Sequence, residues 1–224
     1  MKKTIFAAMI LMAAAASGED YGTVFQEAVK AANGKDYALA EAKYGEAMKL
    51  AGNSVQKCRA ASGKYQALRS QKKDREAEMF MTAAVEDEML KPPEIRSLLN
   101  TFAAGYLWSS RPDFALTLLQ QAQNQECPKT SNEYFRTYYY MATVYIRKNQ
   151  PQAAIEVLGN VLVLKGLHPA NYYSGNMTAG SAYEKLGKKE EALKHYRIAL
   201  ENGRKVKYKF SYAAAEKAIE RLSK

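Results

Sequence analysis

The sequence has few of the residues on which catalysis and metal binding depend. Only two cysteines and two histidines occur among 224 residues. Neither His168 nor His195 has a cysteine, histidine or acidic residue at the spacing that metal ligands require. Glycine-rich phosphate loops and the HExxH and GxSxG motifs are absent from the sequence. We therefore interpret both histidines as surface residues, and we expect a protein that is not an enzyme and that uses no metal or cofactor.

Long apolar runs are also missing, apart from one short stretch at the N-terminus. Lys2 and Lys3 precede an apolar run that ends at Ala16, and the small residues up to Gly18 suit cleavage. About a dozen apolar residues are too few to span a bilayer comfortably, whereas this order of segments is typical of a secretory signal peptide. No cysteine near the cleavage region could carry a lipid. The sequence predicts a signal peptide over residues 1–18 and a periplasmic or secreted mature protein.

A repeated pattern organises the rest of the chain. Ala192, Tyr196 and Ala199 have the i, i+4, i+7 spacing that places three side chains on one face of a helix. The same three positions recur every 37 to 39 residues, as Ala40, Tyr44 and Ala47, as Ala77, Met81 and Ala84, as Ala115, Leu119 and Ala122, and as Ala154, Leu158 and Val161. A position on the preceding helix stays in register with them, as Ala31, Leu68, Tyr106, Tyr145 and Tyr183. Five copies in register indicate an array of helix pairs.

The last copy carries the best match to a known repeat. Gly180 and Tyr183 on one helix, followed by Ala192, Tyr196 and Ala199 on the next, resemble the helix-turn-helix unit of the tetratricopeptide repeat (TPR) family. The family period is about 34 residues, so each unit here carries about one extra helical turn or a longer connection. One pair cannot bury its own apolar face and needs stacked neighbours. The resemblance therefore implies an all-α fold, a right-handed α-solenoid of about five TPR-like helix pairs with a C-terminal capping helix.

Proline, glycine and asparagine breaks mark where these helices begin and end. We assign the repeat domain to residues 19–206 and the capping helix to residues 207–224. The predicted pairs are 22–32 with 36–50, 55–70 with 74–89, 94–109 with 113–125, a fourth from the N-cap Ser131 to about Gly166 with a turn at 149–151, and a fifth from Pro169 to about Gly203. In the capping helix, Phe210, Ala214, Ala218 and Leu222 are expected to share the apolar face.

The repeat register also bears on the two cysteines. Cys58 falls at the junction of the first and second pairs, and Cys127 at the junction of the third and fourth. Stacked pairs advance by roughly 10 Å each, which puts the two sulfur atoms beyond the reach of a disulfide. We expect two free, buried thiols.

The net positive charge of the chain indicates which kinds of partner to expect. Without Lys2 and Lys3 the chain has 31 basic residues, 33 less two, against 23 acidic ones. This excess favours acidic partners or anionic surfaces. An exported protein without a recognition motif for nucleic acid is not expected to bind it.

In TPR proteins the first helices of the pairs line a concave groove that binds an extended peptide or a partner helix. The resemblance implies the same groove here, lined by Arg59, Gln66 and Arg69 in the second pair, Asn100 and Trp108 in the third, Arg136, Tyr139, Tyr140 and Arg147 in the fourth, and Lys185 in the fifth. Arginine, asparagine and tyrosine suit the recognition of carboxylates or backbone combined with aromatic packing. The lysine–asparagine clamp that some members use for a C-terminal carboxylate is not reproduced.

The tyrosines of the fourth pair divide into two groups. Tyr138 and Tyr145 are seven residues apart on one helical face, and we interpret them as packing between repeats. For Tyr139 and Tyr140, packing and partner binding are equally compatible with the sequence, because aromatic residues in a groove also serve as contact anchors.

Two hypotheses for function follow from these observations. The first is a non-enzymatic exported scaffold or adaptor that binds a peptide or protein partner in the groove. The alternative is an envelope factor held to cell wall or anionic lipid by a basic surface of Arg204, Lys205, Lys207 and Lys209. The same basic run also fits a solvated connection whose cations complement a helix dipole. A third idea, an outer-membrane assembly subunit similar to the helical-repeat lipoproteins, is disfavoured by the missing lipid-attachment cysteine.

Overall fold

The computed structural model describes residues 20–206 and 210–224, and all regular structure within them is helical. The predicted signal peptide over residues 1–18 lies outside the described residues. So do Lys207 and Lys209 of the predicted basic surface. The all-α prediction is confirmed for the described part of the chain, where the helices follow one another as five pairs and a final single helix.

The helices belong to two compact units, and the division falls between Leu98 and Leu99. The first unit holds α1 (Tyr21–Asn33), α2 (Tyr37–Leu50), α3 (Ser54–Ser70) and α4 (Asp74–Val85). Helix α5 (Pro92–Ala104) crosses the division, and the second unit continues with α6 (Pro112–Gln123), α7 (Asn132–Arg147), α8 (Pro151–Leu162), α9 (Pro169–Lys185), α10 (Lys189–Arg204) and α11 (Ala213–Ser223). From α1 to α4 and again from α6 to α11, each helix packs on the next one along the chain.

The repeated positions of the second helices form the interior of both units, as the sequence predicts. The five recurring alanines of the second helices are fully buried, at 0% exposure: Ala40, Ala77, Ala115, Ala154 and Ala192. Their companions four and seven residues further on are buried as well, with at most 7% of any of these residues exposed. An alanine at this position keeps the backbones of neighbouring helices close, which larger side chains would prevent.

Two glycines allow a tyrosine ring to lie directly on the backbone of a neighbouring helix. A Cβ atom built on Gly63 would lie 2.4 Å from Cε1 of Tyr44, and one built on Gly180 would lie 2.6 Å from Cε1 of Tyr196. Both tyrosines occupy the same repeat position and are at least 93% buried. The same close approach at this repeat position thus occurs in both units.

The turn within most pairs contains one residue in the left-handed region of backbone conformation. These residues are Lys35, Lys72, Asn149 and Gly187, with φ between 56° and 71°. At the start of the fourth pair, Ser131 caps α7 by accepting a hydrogen bond from the backbone N–H of Tyr134 at 3.1 Å, as predicted.

The third pair differs from its prediction. Helix α5 ends at Ala104 instead of Ser109, and the backbone N–H groups of Gly105 and Tyr106 each donate to a carbonyl three residues back. These tight turns bury Tyr106, whose ring meets that of Phe114 edge-on at 4.9 Å. Trp108 therefore lies on a turn and not on the helix that was predicted for it.

Two other helix ends were predicted wrongly. Helix α4 ends at Val85 and not near Met89. Pro92 does not merely close the second pair, because it opens α5, where a missing backbone N–H costs no intrahelical hydrogen bond.

Helix α11 packs against the fifth pair. It begins at Ala213, and its buried residues are Ala215 and Ala218. Phe210 precedes the helix, so its predicted place on the apolar face is wrong. Ala214 is exposed, so its predicted place on the apolar face is wrong by one position. Together with Ala192 and Tyr196, Ala218 forms a small apolar core.

An ionic contact ties α11 to the same pair. Arg221 donates two hydrogen bonds to the carboxylate of Glu184, at 2.7 and 2.9 Å. The hydroxyl of Tyr196 donates to the same carboxylate at 2.5 Å. The hydrogen bond from Arg221 holds the pKa of Glu184 below its usual range, and that from Tyr196 acts in the same direction. Glu184 therefore connects three helices of the second unit.

Cys58 and Cys127 do not form a disulfide, as predicted. Cys58 is buried, as expected. Cys127 is only half-buried, with its sulfur 3.5 Å from the Ser131 hydroxyl, so the prediction of a buried thiol is wrong there.

Candidate protein-binding surface

The predicted groove residues of the first unit all lie on α3. Arg59 and Gln66 are exposed, and their spacing of seven residues places them on one helical face. Arg69 is half-buried and pairs with a carboxylate oxygen of Asp74 at 3.0 Å. Its charge is therefore already partly balanced within the unit.

In the second unit, α7 holds an arginine against a tyrosine one turn further along. The guanidinium of Arg136 lies over the Tyr140 ring, 5.4 Å from its centre. Its Nη1 also donates to both carboxylate oxygens of Glu133, at 2.9 and 3.1 Å. Burial alone would lower the pKa of Arg136, but the charge of Glu133 and the contact with Tyr140 outweigh it and raise the pKa above its ordinary value. The cation is thus fixed over the aromatic face.

A second cation–aromatic pair lies at the other end of α7. Arg147 places its guanidinium 5.4 Å from the centre of the Trp108 ring. It also donates to the backbone carbonyl groups of Leu107 and Ser109, the latter at 3.1 Å. Trp108 remains 74% exposed. Arg147 therefore holds the turn that carries Trp108 in place, and most of the indole ring stays exposed to solvent.

Tyr139 joins these pairs to the interior. Its ring stacks on Phe135 with 5.5 Å between centres, and it lies 5.8 Å from the Tyr140 ring. Burial raises the pKa of Tyr139. Tyr138 is buried in a core that also includes Ala179 and Ala182 of the fifth pair, and Tyr145 packs against that core, so their predicted packing between repeats is confirmed.

Lys185 is exposed at the end of α9. We use the term first-helix surface for the second-unit members of the predicted set that can meet a partner. They are Trp108, Arg136, Tyr139, Tyr140, Arg147 and Lys185.

Asn100 does not belong to this surface, and its prediction as a groove residue is wrong. Its side chain is completely buried. The Nδ2 group donates to the backbone carbonyl and to the carboxylate of Glu133, at 3.0 and 3.1 Å, and Oδ1 accepts from the Thr137 hydroxyl at 3.0 Å. Asn100 therefore joins α5 to α7.

The described members of the predicted basic surface have carboxylate partners. Lys205 pairs with Glu201 at 2.7 Å, and Arg204 pairs with Glu216 at 3.5 Å. Exposed pairs of this kind contribute little to stability, but they reduce the positive charge that a lipid or cell-wall surface would meet.

The prediction of surface histidines holds for His168 and is wrong for His195. His168 is exposed, and its Nδ1 accepts from the backbone N–H of Ala170 at 3.2 Å. His195 is half-buried, with Nδ1 2.8 Å from Oδ1 of Asn176, and its ring stacks on Tyr183 at 5.1 Å. Burial, and secondarily the charge of Lys194, lower the pKa of His195. In the sequence, only the position of His195 directly before the repeated residue Tyr196 could have indicated that it is partly buried.

In residues 20–206 and 210–224, no three histidine, cysteine or acidic side chains are grouped closely enough to hold a metal ion. No helix in the same residues has both the length and the apolar character that crossing a membrane requires.

Known proteins resemble this chain in structure only. No model of a protein family matches the sequence, and no curated protein matches it. Among solved structures, PilF of Pseudomonas aeruginosa is 15% identical with a TM-score of 0.65, covering 91% of this chain and 82% of its own. TTC0263, a TPR protein of Thermus thermophilus, is 16% identical with a TM-score of 0.58, covering 91% of this chain and 100% of its own. YrrB, described as a TPR protein with an unusual peptide-binding site, is 18% identical with a TM-score of 0.56, covering 94% and 97%. At these identities the likeness establishes the fold.

Proposed function

We propose that this chain, which has the TPR fold, is a non-enzymatic exported scaffold that binds a segment of a partner protein on its first-helix surface. The observation that carries the proposal is the pair of cation–aromatic contacts on α7, Arg136 with Tyr140 and Arg147 with Trp108. Aromatic and arginine side chains dominate the energetics of protein interfaces. The peptide-binding site recorded for YrrB supports the same class of function.

The chemistry of the surface favours an acidic partner segment that also carries apolar or aromatic side chains. A guanidinium has five N–H donors, and the two hydrogen bonds from Arg136 to Glu133 both start at Nη1. Lys185 adds an exposed cation on the next first helix. Trp108 and Tyr140 provide flat apolar area next to these cations, so a carboxylate and a neighbouring ring or methyl group are both accommodated.

Binding is expected to depend on both ends of α7. Peptides selected from a random displayed library on protein that begins at Glu19 should be enriched in acidic and aromatic residues. Arg147→Ala and Tyr140→Ala should each weaken the selected peptide by about 10- to 30-fold, since each removes a central anchor. The measurement is a titration followed by the fluorescence of Trp108, the only tryptophan, which should shift to the blue as its exposed ring is covered.

The matched control is Arg197→Ala, which removes an exposed arginine from α10 in the same unit. It should bind like the original protein, and circular dichroism should show that all variants are folded. Unchanged affinity in a double Arg136→Ala, Arg147→Ala variant would overturn the proposed surface. Sedimentation with anionic vesicles that is lost only in Arg204→Glu, Lys205→Glu protein would favour the basic-surface alternative instead.

Export is the second part of the proposal, and it rests on the N-terminal sequence. Full-length chain with a C-terminal tag should be recovered outside the cytoplasm of a Gram-negative host, with its first residue after Ala16 or Gly18. Mass spectrometry of the N-terminal peptide measures this directly. Replacement of Ala16 and Gly18 by leucine should block processing, because the cleavage site needs small residues. Recovery of uncleaved chain beginning at Met1 from the cytoplasm would contradict export.

A further inference from the structure

The second unit contains a cavity that the proposed partner surface does not use. Its volume is about 440 Å³, and one face each of α8, α9 and α10 lines it. Small-molecule sites in proteins span about 300 to 1,000 Å³. On α9 the cavity is lined by Asn176 and Tyr183, whereas Lys185 of the first-helix surface lies outside the lining.

One wall of this cavity is apolar. Ile155 and Leu162 of α8 and the following Val163 line it, together with Ile198 of α10. Val163 is 76% exposed, so the outer end of this wall is open to solvent. Gly159 lies in the middle of this wall, and a Cβ atom added to it would meet nothing within 4 Å. The missing side chain leaves open space beside α8.

The opposite wall is polar and held in place. The Asn176 side chain donates to the backbone carbonyl of Tyr172 at 2.8 Å, which directs its Oδ1 toward Nδ1 of His195 at 2.8 Å. The His195 ring is also stacked on Tyr183. Among the described residues that line the cavity, Lys194 carries the only formal positive charge and no carboxylate is present. Lys194 is exposed, so a charged group bound to it can stay in contact with water.

We propose that this cavity binds a small amphiphilic carboxylate, with its alkyl chain along the α8 wall and its carboxylate at the ammonium group of Lys194. A cationic ligand would meet Lys194 as a like charge, and an uncharged one would leave it without a counterion. The volume fits one short alkyl chain and not a folded partner. The site is separate from the first-helix surface, so the two can be tested independently.

The first test is a series of straight-chain carboxylates from butanoate to decanoate. These are titrated by calorimetry into protein that begins at Glu19, below their micelle concentrations and at constant ionic strength. Affinity should rise about fourfold for each added methylene group until the cavity is filled. Octanoate should bind more tightly than 1-octanol, and octylammonium should bind least, because Lys194 distinguishes the head groups.

Two substitutions place the ligand in the cavity. Gly159→Phe puts a ring into the open space, and its Cβ atom would meet no atom within 4 Å. It should reduce octanoate affinity at least 30-fold. Asn160→Phe is the matched control, since this neighbouring residue on α8 is exposed and is not part of the lining. Lys194→Met should remove the preference for octanoate over 1-octanol.

Octanoate affinity should not change in the Arg136→Ala, Arg147→Ala variant, which keeps this proposal distinct from peptide binding. Equal octanoate affinity in the Gly159→Phe and Asn160→Phe proteins would overturn the proposal. So would affinities that do not depend on chain length. Binding of short apolar peptides in the cavity without binding of octanoate would likewise exclude the carboxylate site.

Discussion

Gly180→Ala is expected to lower the free energy of unfolding by about 2 kcal/mol, although alanine is the better helix former. The new methyl group would lie 2.6 Å from the ring of Tyr196. That ring cannot easily move, because it is 97% buried and its hydroxyl is bound to Glu184. Urea unfolding followed by circular dichroism measures the loss.

The same substitution at a glycine with open space is the control. Gly159→Ala should raise stability by roughly 0.5 to 1 kcal/mol, because it removes backbone freedom from the unfolded chain and meets no atom in the folded one. The first unit offers a second matched comparison. Gly63→Ala places a methyl group 2.4 Å from the Tyr44 ring, whereas Gly45→Ala meets only the end of Lys64 at 3.6 Å. If the two substitutions of either comparison changed the free energy of unfolding equally, the close contacts with tyrosine would not be the reason for glycine at positions 63 and 180.

Asn100→Ala is expected to cost about 3 kcal/mol, the other large effect. The change removes three hydrogen bonds in a fully buried position and leaves the Glu133 carboxylate and the Thr137 hydroxyl without their partner on α5. Thermal and urea unfolding both measure this loss of stability. Asn160→Ala, on an exposed helix position, should change stability by less than about 0.5 kcal/mol.

Asn100→Ala also distinguishes the role predicted from the sequence, a groove residue that binds a partner, from the role seen in the structure, a buried residue that joins α5 to α7. A groove residue would lose peptide affinity while the unfolding midpoint stayed the same. A residue that joins two helices lowers the midpoint and leaves the affinity of the remaining folded protein nearly unchanged. Loss of affinity at constant stability would therefore contradict the structural assignment.

The period of the small residues was sufficient to predict the fold. Alanine at 40, 77, 115, 154 and 192 can be recognised without any structure, because a position where two backbones meet closely accepts little else. The companions on the same face follow from helical geometry. These predictions depend only on spacing within one helix and between successive copies, and both are visible in the chain.

The surface was predicted less well, because its residues depend on neighbours from other helices. The resemblance to TPR proteins assigned Asn100 to the groove, but the carboxylate and hydroxyl groups on α7 make its burial favourable. Trp108 was assigned to a helix that ends four residues earlier, since nothing local marks the turns after Ala104. His195 was predicted to be a surface residue, but Asn176 and Tyr183 of α9 contact its ring. In each case a partner distant in sequence decides the outcome.

The two cation–aromatic pairs on α7 also define a distance that a partner must match. Arg136 and Arg147 are eleven residues apart on one helix, which corresponds to about 16 Å along its axis. An extended chain advances about 3.4 Å per residue. A partner running parallel to α7 would therefore present its two anchor residues about five positions apart if extended, and about eleven if helical. Inserting or deleting one residue between those anchors should weaken binding even when the composition is unchanged, so the recognised motif is one of spacing as well as chemistry.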